Sequence, residues 1–143
     1  MIKEFIQVIE TDSYEYINEL IDQYPDKPKT PAEMKEWVHS NTIYKYFIVY
    51  VGERVGSIWI TKFDMGGKTY YNLEGYRDKR ANAQNAFLVY KQSSILVLDN
   101  LKVRPILMNH WKDERYAKLL ARSLGFKYWY TDKNGLRIYE YQY

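Results

Sequence analysis

The side chains whose types and spacing could do chemistry gather in one stretch, NLEGYRDKRANAQNAFLVYKQ, from Asn72 to Gln92. A strand-like run passes through a basic turn with Arg77, Lys79 and Arg80 into a helix-like run. That layout can hold a phosphate on backbone amides and a helix N-terminus. Such a cradle ordinarily needs glycines, because only a residue without Cβ lets several N–H groups close on one anion. After Gly75 the turn has none, so the sequence offers the shape of a cradle without its usual residues.

Other reactive groups are sparse. His39 and His110 have no partner at metal-ligand spacing, so no metal site is expected. Ser93 and Ser94 lack the Gly-x-Ser-x-Gly setting of a nucleophilic serine. The absence of cysteine excludes a thiolate nucleophile, a thiolate zinc site and a disulfide scaffold. Gly66-Gly67 lies between strand-like runs and reads as a hairpin turn rather than a nucleotide loop. Aromatic residues beside lysine, as in YKYF and FKYWY, could stack on bases, but on alternating strands they more often fill a core or a half-wet surface.

The bulk composition agrees with a folded, non-membrane chain. A formal net charge of +3 is too small to predict a nucleic-acid partner. Hydrophobic residues at 46% and charged residues at 27% are globular proportions. A chain of 143 residues suits one domain, 1–143, that buries roughly two-thirds of its unfolded surface. No apolar run approaches the ~18 residues of a membrane span, and Met1-Ile2-Lys3-Glu4 opens no apolar leader, so a cytoplasmic protein is expected. Tyrosine occurs 16 times. Many of those rings must pack while their hydroxyls stay wet, which favours an interaction surface and a protein partner.

The elements that must position these groups follow from periodicity and caps. Ile2 to Ile9 alternates as a first strand. Asp12-x-x-Glu15 offers a capping box to a helix with Tyr14, Ile17, Ile21 and Tyr24 on one stripe, stopped by Pro25. Thr30-Pro31-Ala32-Glu33 starts a second helix that turns Met34, Trp37 and Val38 inward. Runs at 44–51, 54–63 and onward through Leu73, joined at Gly52-Glu53 and Gly66-Gly67, predict a three-strand meander. Ala83, Ala86, Phe87 and Tyr90 mark a helix that continues to about Asn100, and 103–108 reads as a short buried strand. A helix from Asp113 to Leu124 carries Tyr116, Leu120 and Leu124 on its stripe, with Gly125 behind it. A closing hairpin turns at Asp132-Lys133-Asn134-Gly135. The sum is an α+β domain around one mixed, mostly antiparallel, twisted sheet flanked by helices. Arg137, Tyr139, Tyr141 and Tyr143 would share one face of the last strand, a candidate edge for a homodimer.

This order resembles the GNAT superfamily of N-acetyltransferases, with FIVYVGERVGSIWI as the second and third strands and YAKLLARSLGFKYW as the late helix, its Leu-Gly-Phe stop and the strand after it. The resemblance implies acetyl-CoA as acyl donor, its pyrophosphate held at a turn of the form Gln/Arg-x-x-Gly-x-Gly/Ala. The nearest register is Arg77 to Asn82, which makes Gly75, Arg77, Lys79, Arg80 and Asn82 the cofactor-binding candidates. Arg80 and Asn82 stand where glycine and a small residue are expected. The family also places a general base on the strand before the turn, which makes Glu74 the candidate; basic neighbours would keep its carboxyl low. His110, a second base candidate, and Asn109, a substrate contact, would lie in the loop after the 103–108 strand, near the acyl site. The tyrosine that often protonates the leaving thiolate sits four residues before the Gly-Phe pair, where this chain has Ala121. Tyr116, more than a turn earlier, is the remaining catalytic candidate on that helix.

From Val103 onward the chain also resembles small phage-encoded proteins of the same fold that lack the glycine turn, among them an internal virion protein of podoviruses. Two functions stay open. The missing glycines, Ala121 and the tyrosines favour a non-catalytic binding or structural protein, in a virion or in host cytoplasm. The element order and the retained Arg77 support an acetyl-CoA-dependent N-acetyltransferase acting on a small-molecule or protein amine.

Overall fold

A computed structural model describes residues 2–25, 29–82, 84–111 and 114–143. The chain enters through a 3₁₀ turn, Ile2–Phe5, so the first strand β1 (Ile6–Glu10) is shorter than the alternation from Ile2 suggests. Helix α1 (Glu15–Asp22) buries Ile17, Leu20 and Ile21. Its expected capping box at Asp12 does not form. Instead Thr11 Oγ1 accepts from the Ser13 amide and Ser13 Oγ from the Glu15 amide, each at 3.1 Å, because these hydroxyls reach the amide two residues on. Helix α2 (Pro31–Asn41) has the reciprocal cap its sequence predicts: the Glu33 amide donates to Thr30 Oγ1 at 3.2 Å, and the Thr30 amide to the Glu33 carboxylate at 3.1 Å. That cap fixes the helix that carries Trp37.

Strands β2 (Thr42–Tyr50), β3 (Glu53–Met65) and β4 (Lys68–Arg77) form the meander. Their first turn is Val51-Gly52 rather than Gly52-Glu53, with φ of 50° and 75°; the second is Gly66-Gly67 as expected. Helix α3 (Ala86–Asn100) ends where the periodicity predicts. Strand β5 (Ile106–His110) starts later than Val103, after Pro105, and takes in Asn109 and His110. Helix α4 (Arg115–Ser123) ends at Gly125, whose φ is 90°. Asp113, its expected first residue, and Ala83, expected on the face of α3, lie outside the described residues. Strands β6 (Phe126–Thr131) and β7 (Arg137–Tyr141) close the chain. Asp132 organises their loop more than the Asn-Gly pair does: its Oδ1 accepts from the amides of Asn134 and Leu136, both at 2.9 Å.

The strands form one sheet in the order β1-β2-β3-β4-β5-β7-β6, antiparallel throughout except β4 with β5. This is an α+β domain of four α-helices and a mixed seven-stranded sheet among the described residues. β7 lies inside the sheet, between β5 and β6, so it offers no free edge to the sheet of a second chain; the outer strands are β1 and β6. No described helix is long and apolar enough to cross a membrane.

The pleat sorts side chains between two faces. Ile58, Ile60, Leu73, Ile106, Met108 and Tyr139 pack against α3 and α4 in the main core. On the other face Trp59 joins Ile17, Ile21 and Val38 of α1 and α2. One interruption shapes everything that follows. β4 and β5 pair only at Tyr71↔Ile106 and Asn72↔Leu107, while β4 stays paired with β3 through Arg77. Beyond Asn72 the parallel strands part and leave a V-shaped opening in the middle of the sheet.

Candidate active site

The parted strands open into a cleft of about 1110 Å³, walled by α1 and α2 on one side and by β5 and α4 on the other. Glu74 lies in it, two residues beyond the last β4–β5 pair. The Gly66-Gly67 turn sets the hairpin register and thereby places Glu74 opposite Trp59. Trp59 Nε1 donates to Glu74 Oε1 at 2.7 Å, Trp37 Nε1 to Oε2 at 3.2 Å, and Thr61 Oγ1 to Oε2 at 3.2 Å. All three donors are neutral, and no ion pair reaches this carboxylate among the described residues. Burial raises the Glu74 carboxyl above its ordinary range, and the three donors, with Lys29 further off, only partly oppose it. The sequence expectation of a low value is thus reversed: the basic residues of the turn lie elsewhere.

Asp78, which is buried, holds Arg80. Its carboxylate accepts from the Tyr16 hydroxyl at 2.8 Å, Gln23 Nε2 at 3.0 Å, and the amide, Nε and Nη2 of Arg80, each at 3.0 Å. Arg80 Nη1 donates to Glu19 at 3.1 Å. Burial alone would raise the Asp78 carboxyl, but these hydrogen bonds, those of Arg80 foremost, together hold it well below the usual carboxylate range. Arg80 therefore ties the turn to α1 and points its charge at two carboxylates. Lys79 Nζ lies 4.2 Å over the Tyr24 ring, and the Tyr24 hydroxyl donates to the Arg77 carbonyl at 2.6 Å. The Arg77 side chain lines the cleft.

The turn is longer than its sequence register implies. Asn82 Oδ1 accepts from the Gln84 amide at 2.9 Å, and α3 begins only at Ala86, with Asn85 as its N-cap at φ 62° and no side chain capping the first amides. Asparagine tolerates the left-handed conformation better than most residues, which lets Asn85 adopt it. Gly75 is required for a different reason: within the β3–β4 ladder a Cβ there would lie 2.6 Å from the Ser57 carbonyl oxygen.

The two neighbours in β5 separate by the same pleat. Asn109 faces the cleft. His110 turns to the opposite face, 2% exposed, where Nε2 meets the Tyr139 hydroxyl at 3.1 Å and Nδ1 the Trp111 carbonyl at 2.8 Å; both ring nitrogens are engaged away from the opening. Tyr116 lines the cleft edge-on to Phe87 at 5.5 Å, its hydroxyl raised by burial. Ala121 is buried in the core beside Leu120. Sequence reasoning missed Trp37, Trp59 and Thr61 as partners of Glu74, although the hairpin register could have supplied the last two. It also missed Asn72, whose buried Oδ1 has no hydrogen-bond partner among the described residues.

No family model and no curated protein matches the chain by sequence. Solved structures do match it by shape. A spermidine N-acetyltransferase from Vibrio cholerae superposes with a TM-score of 0.66 at 9% identity, over 96% of this chain and 93% of that one. A ribosomal L7/L12 α-N-protein acetyltransferase in complex with coenzyme A gives 0.64 at 13%, over 98% and 95%. The fold is that of the GNAT acetyltransferases. An aminoglycoside acetyltransferase bound to coenzyme A and kanamycin gives 0.64 at 11%, over 94% and 92%. These GNAT structures share their overall architecture with the chain, and none of the three is a virion protein.

Proposed function

We propose that the chain is an acetyl-CoA-dependent N-acetyltransferase with Glu74 as general base. The observation that carries this reading is a carboxylate held by neutral donors, raised by burial, and placed where β4 and β5 part. The residues present fit an acyl-CoA. From Leu73 onward β4 has no ladder partner on its β5 side, so its backbone groups can pair with the amides of an extended arm. The first amides of α3 carry no side-chain cap and suit a pyrophosphate, and Arg77 lines the cleft. Acetyl-CoA, when bound, supplies an acetyl thioester. Glu74 would take the proton from the acceptor's ammonium and so free the nitrogen for attack. Tyr116, protonated at neutral pH like any phenol, would return a proton to the departing sulfur in place of the tyrosine that Ala121 replaces.

Ala121 and the engaged Arg80 favour the second reading, a GNAT-fold protein kept for binding, whether in a virion or with a host partner. One experiment separates the two. Acetyl-CoA is titrated by calorimetry, with pantetheine, which lacks the pyrophosphate, as the control. Micromolar binding that pantetheine does not reproduce, followed by thiol release on addition of an amine, is expected. No heat and no ligand-induced rise in melting temperature would leave the binding reading.

A further inference from the structure

We infer that the acceptor is a primary amine carrying one positive charge on a flat apolar body, its nitrogen shared between Glu74 and Asn72. The inference rests on the acetyltransferase reading and names the substrate class of that site. Asn72 is 7% exposed, lies at the last β4–β5 pair and lines the cleft, and its Oδ1 has no partner among the described residues. Buried amide oxygens are almost always satisfied. One left open in the wall of a cleft points to a donor that arrives with a ligand. Two residues along the same strand, Glu74 lies on the same face, so the two side chains offer neighbouring acceptors to the three N–H donors of an ammonium.

The surroundings define the rest of the acceptor. Trp37 and Trp59 converge on Glu74 through their indole N–H groups, Tyr76 packs edge-on to Trp59 at 5.5 Å, and Phe63 lies 6.3 Å from Trp37. These rings make an apolar wall that also accepts cations: Lys29 Nζ already sits 4.6 Å from the Trp37 ring centre. Among the described residues a second positive charge finds no equivalent partner. The other carboxylates lining the cleft, Glu114 and Asp132, already accept backbone N–H groups from Trp111 and from Asn134 and Leu136, and Arg77 and Arg115 line it as well. A polyamine or an aminoglycoside therefore matches this cleft less well than an arylalkyl monoamine.

The test uses 2-phenylethylamine, spermidine and kanamycin as acceptors with the full chain, and titrates each amine alone by calorimetry. Phenylethylamine should be acetylated with a kcat/KM at least tenfold above either polycation. Asn72→Leu should keep the fold, judged by its melting temperature, and raise KM for phenylethylamine at least tenfold while kcat changes by less than threefold. A preference for spermidine or kanamycin, or an unchanged KM in Asn72→Leu, overturns the inference. If acetyl-CoA does not bind, the acetyltransferase reading fails by itself; phenylethylamine binding that Asn72→Leu abolishes would still support the pocket, and its absence would overturn it.

Discussion

Glu74 and Asp78 lie four residues apart at the end of one strand, and both are surrounded by hydrogen-bond donors. Folding moves their carboxyls in opposite directions. At Asp78 five hydrogen bonds outweigh burial, and the guanidinium of Arg80 makes two of them, so ionisation is favoured although the group is buried. Glu74 has two indoles and a hydroxyl, which orient a carboxylate but offset only part of the cost of burying its charge. A carboxylate tied to a cation holds structure, whereas one oriented by neutral donors in an open cleft is free to accept a proton.

The sharpest way to break this contrast is Glu74→Gln. The amide keeps the shape but cannot take a proton, so kcat/KM for acetyl transfer should fall by about 10²–10⁴ in stopped thiol-release assays. In the parent protein kcat/KM should rise with pH through an acid limb lying above the ordinary carboxylate range, and the variant should lack that limb. Stability should move the other way. Because the folded-state value of Glu74 is raised, its contribution is fully present below the unfolded pKa of about 4.3 and is lost as pH rises through the folded value. The variant should therefore be no less stable than the parent at neutral pH.

Asp78→Asn is the mirror experiment. It removes the anion that Arg80, Gln23 and Tyr16 share, and should cost about 2–3 kcal/mol by urea denaturation with an unchanged m value. The lowered carboxyl of Asp78 contributes stability above the unfolded value of about 3.9 that is lost as pH falls towards its folded value. The variant should show a flatter loss of stability on acidification, and an equal slope in parent and variant would contradict the role assigned to Asp78.

Much of this arrangement was legible in the sequence, and the limits are physical. The Thr30 cap, the Gly66-Gly67 turn and the end of α3 at Asn100 rest on local chemistry and appeared where expected. The element order, with FIVYVGERVGSIWI and YAKLLARSLGFKYW, carried the resemblance to the GNAT fold. Glu74 was legible as a residue but not as an environment, because Trp37 comes from a helix 37 positions earlier and only the tertiary fold brings it there. The path of the turn was not legible, because spacing cannot show that Asn85 adopts a left-handed conformation, or that Arg80 bends back to Asp78. His110 was placed near the acyl site because β5 was expected to stop at Met108; two more strand residues send alternate side chains to opposite faces, and it is Asn109 that meets the cleft.

The finest test of the contrast changes one neutral donor and nothing else. Thr61→Val keeps the branched shape of a fully buried residue on β3 and removes the hydroxyl that donates to Glu74 Oε2. The carboxylate then keeps its two indole partners and loses one stabilising bond, so its carboxyl should rise further and the acid limb of kcat/KM should shift to higher pH. At pH values well above that limb the rate should change by less than about threefold, because the base is still in place and still ionised. The same substitution should leave the acid slope of stability assigned to Asp78 untouched, since that carboxylate is held by Arg80, Gln23 and Tyr16 and receives nothing from Thr61. A limb that stays in place would mean that the indoles alone set the proton affinity of Glu74, and the contrast between the two carboxylates would then reduce to burial beside tryptophan against pairing with arginine.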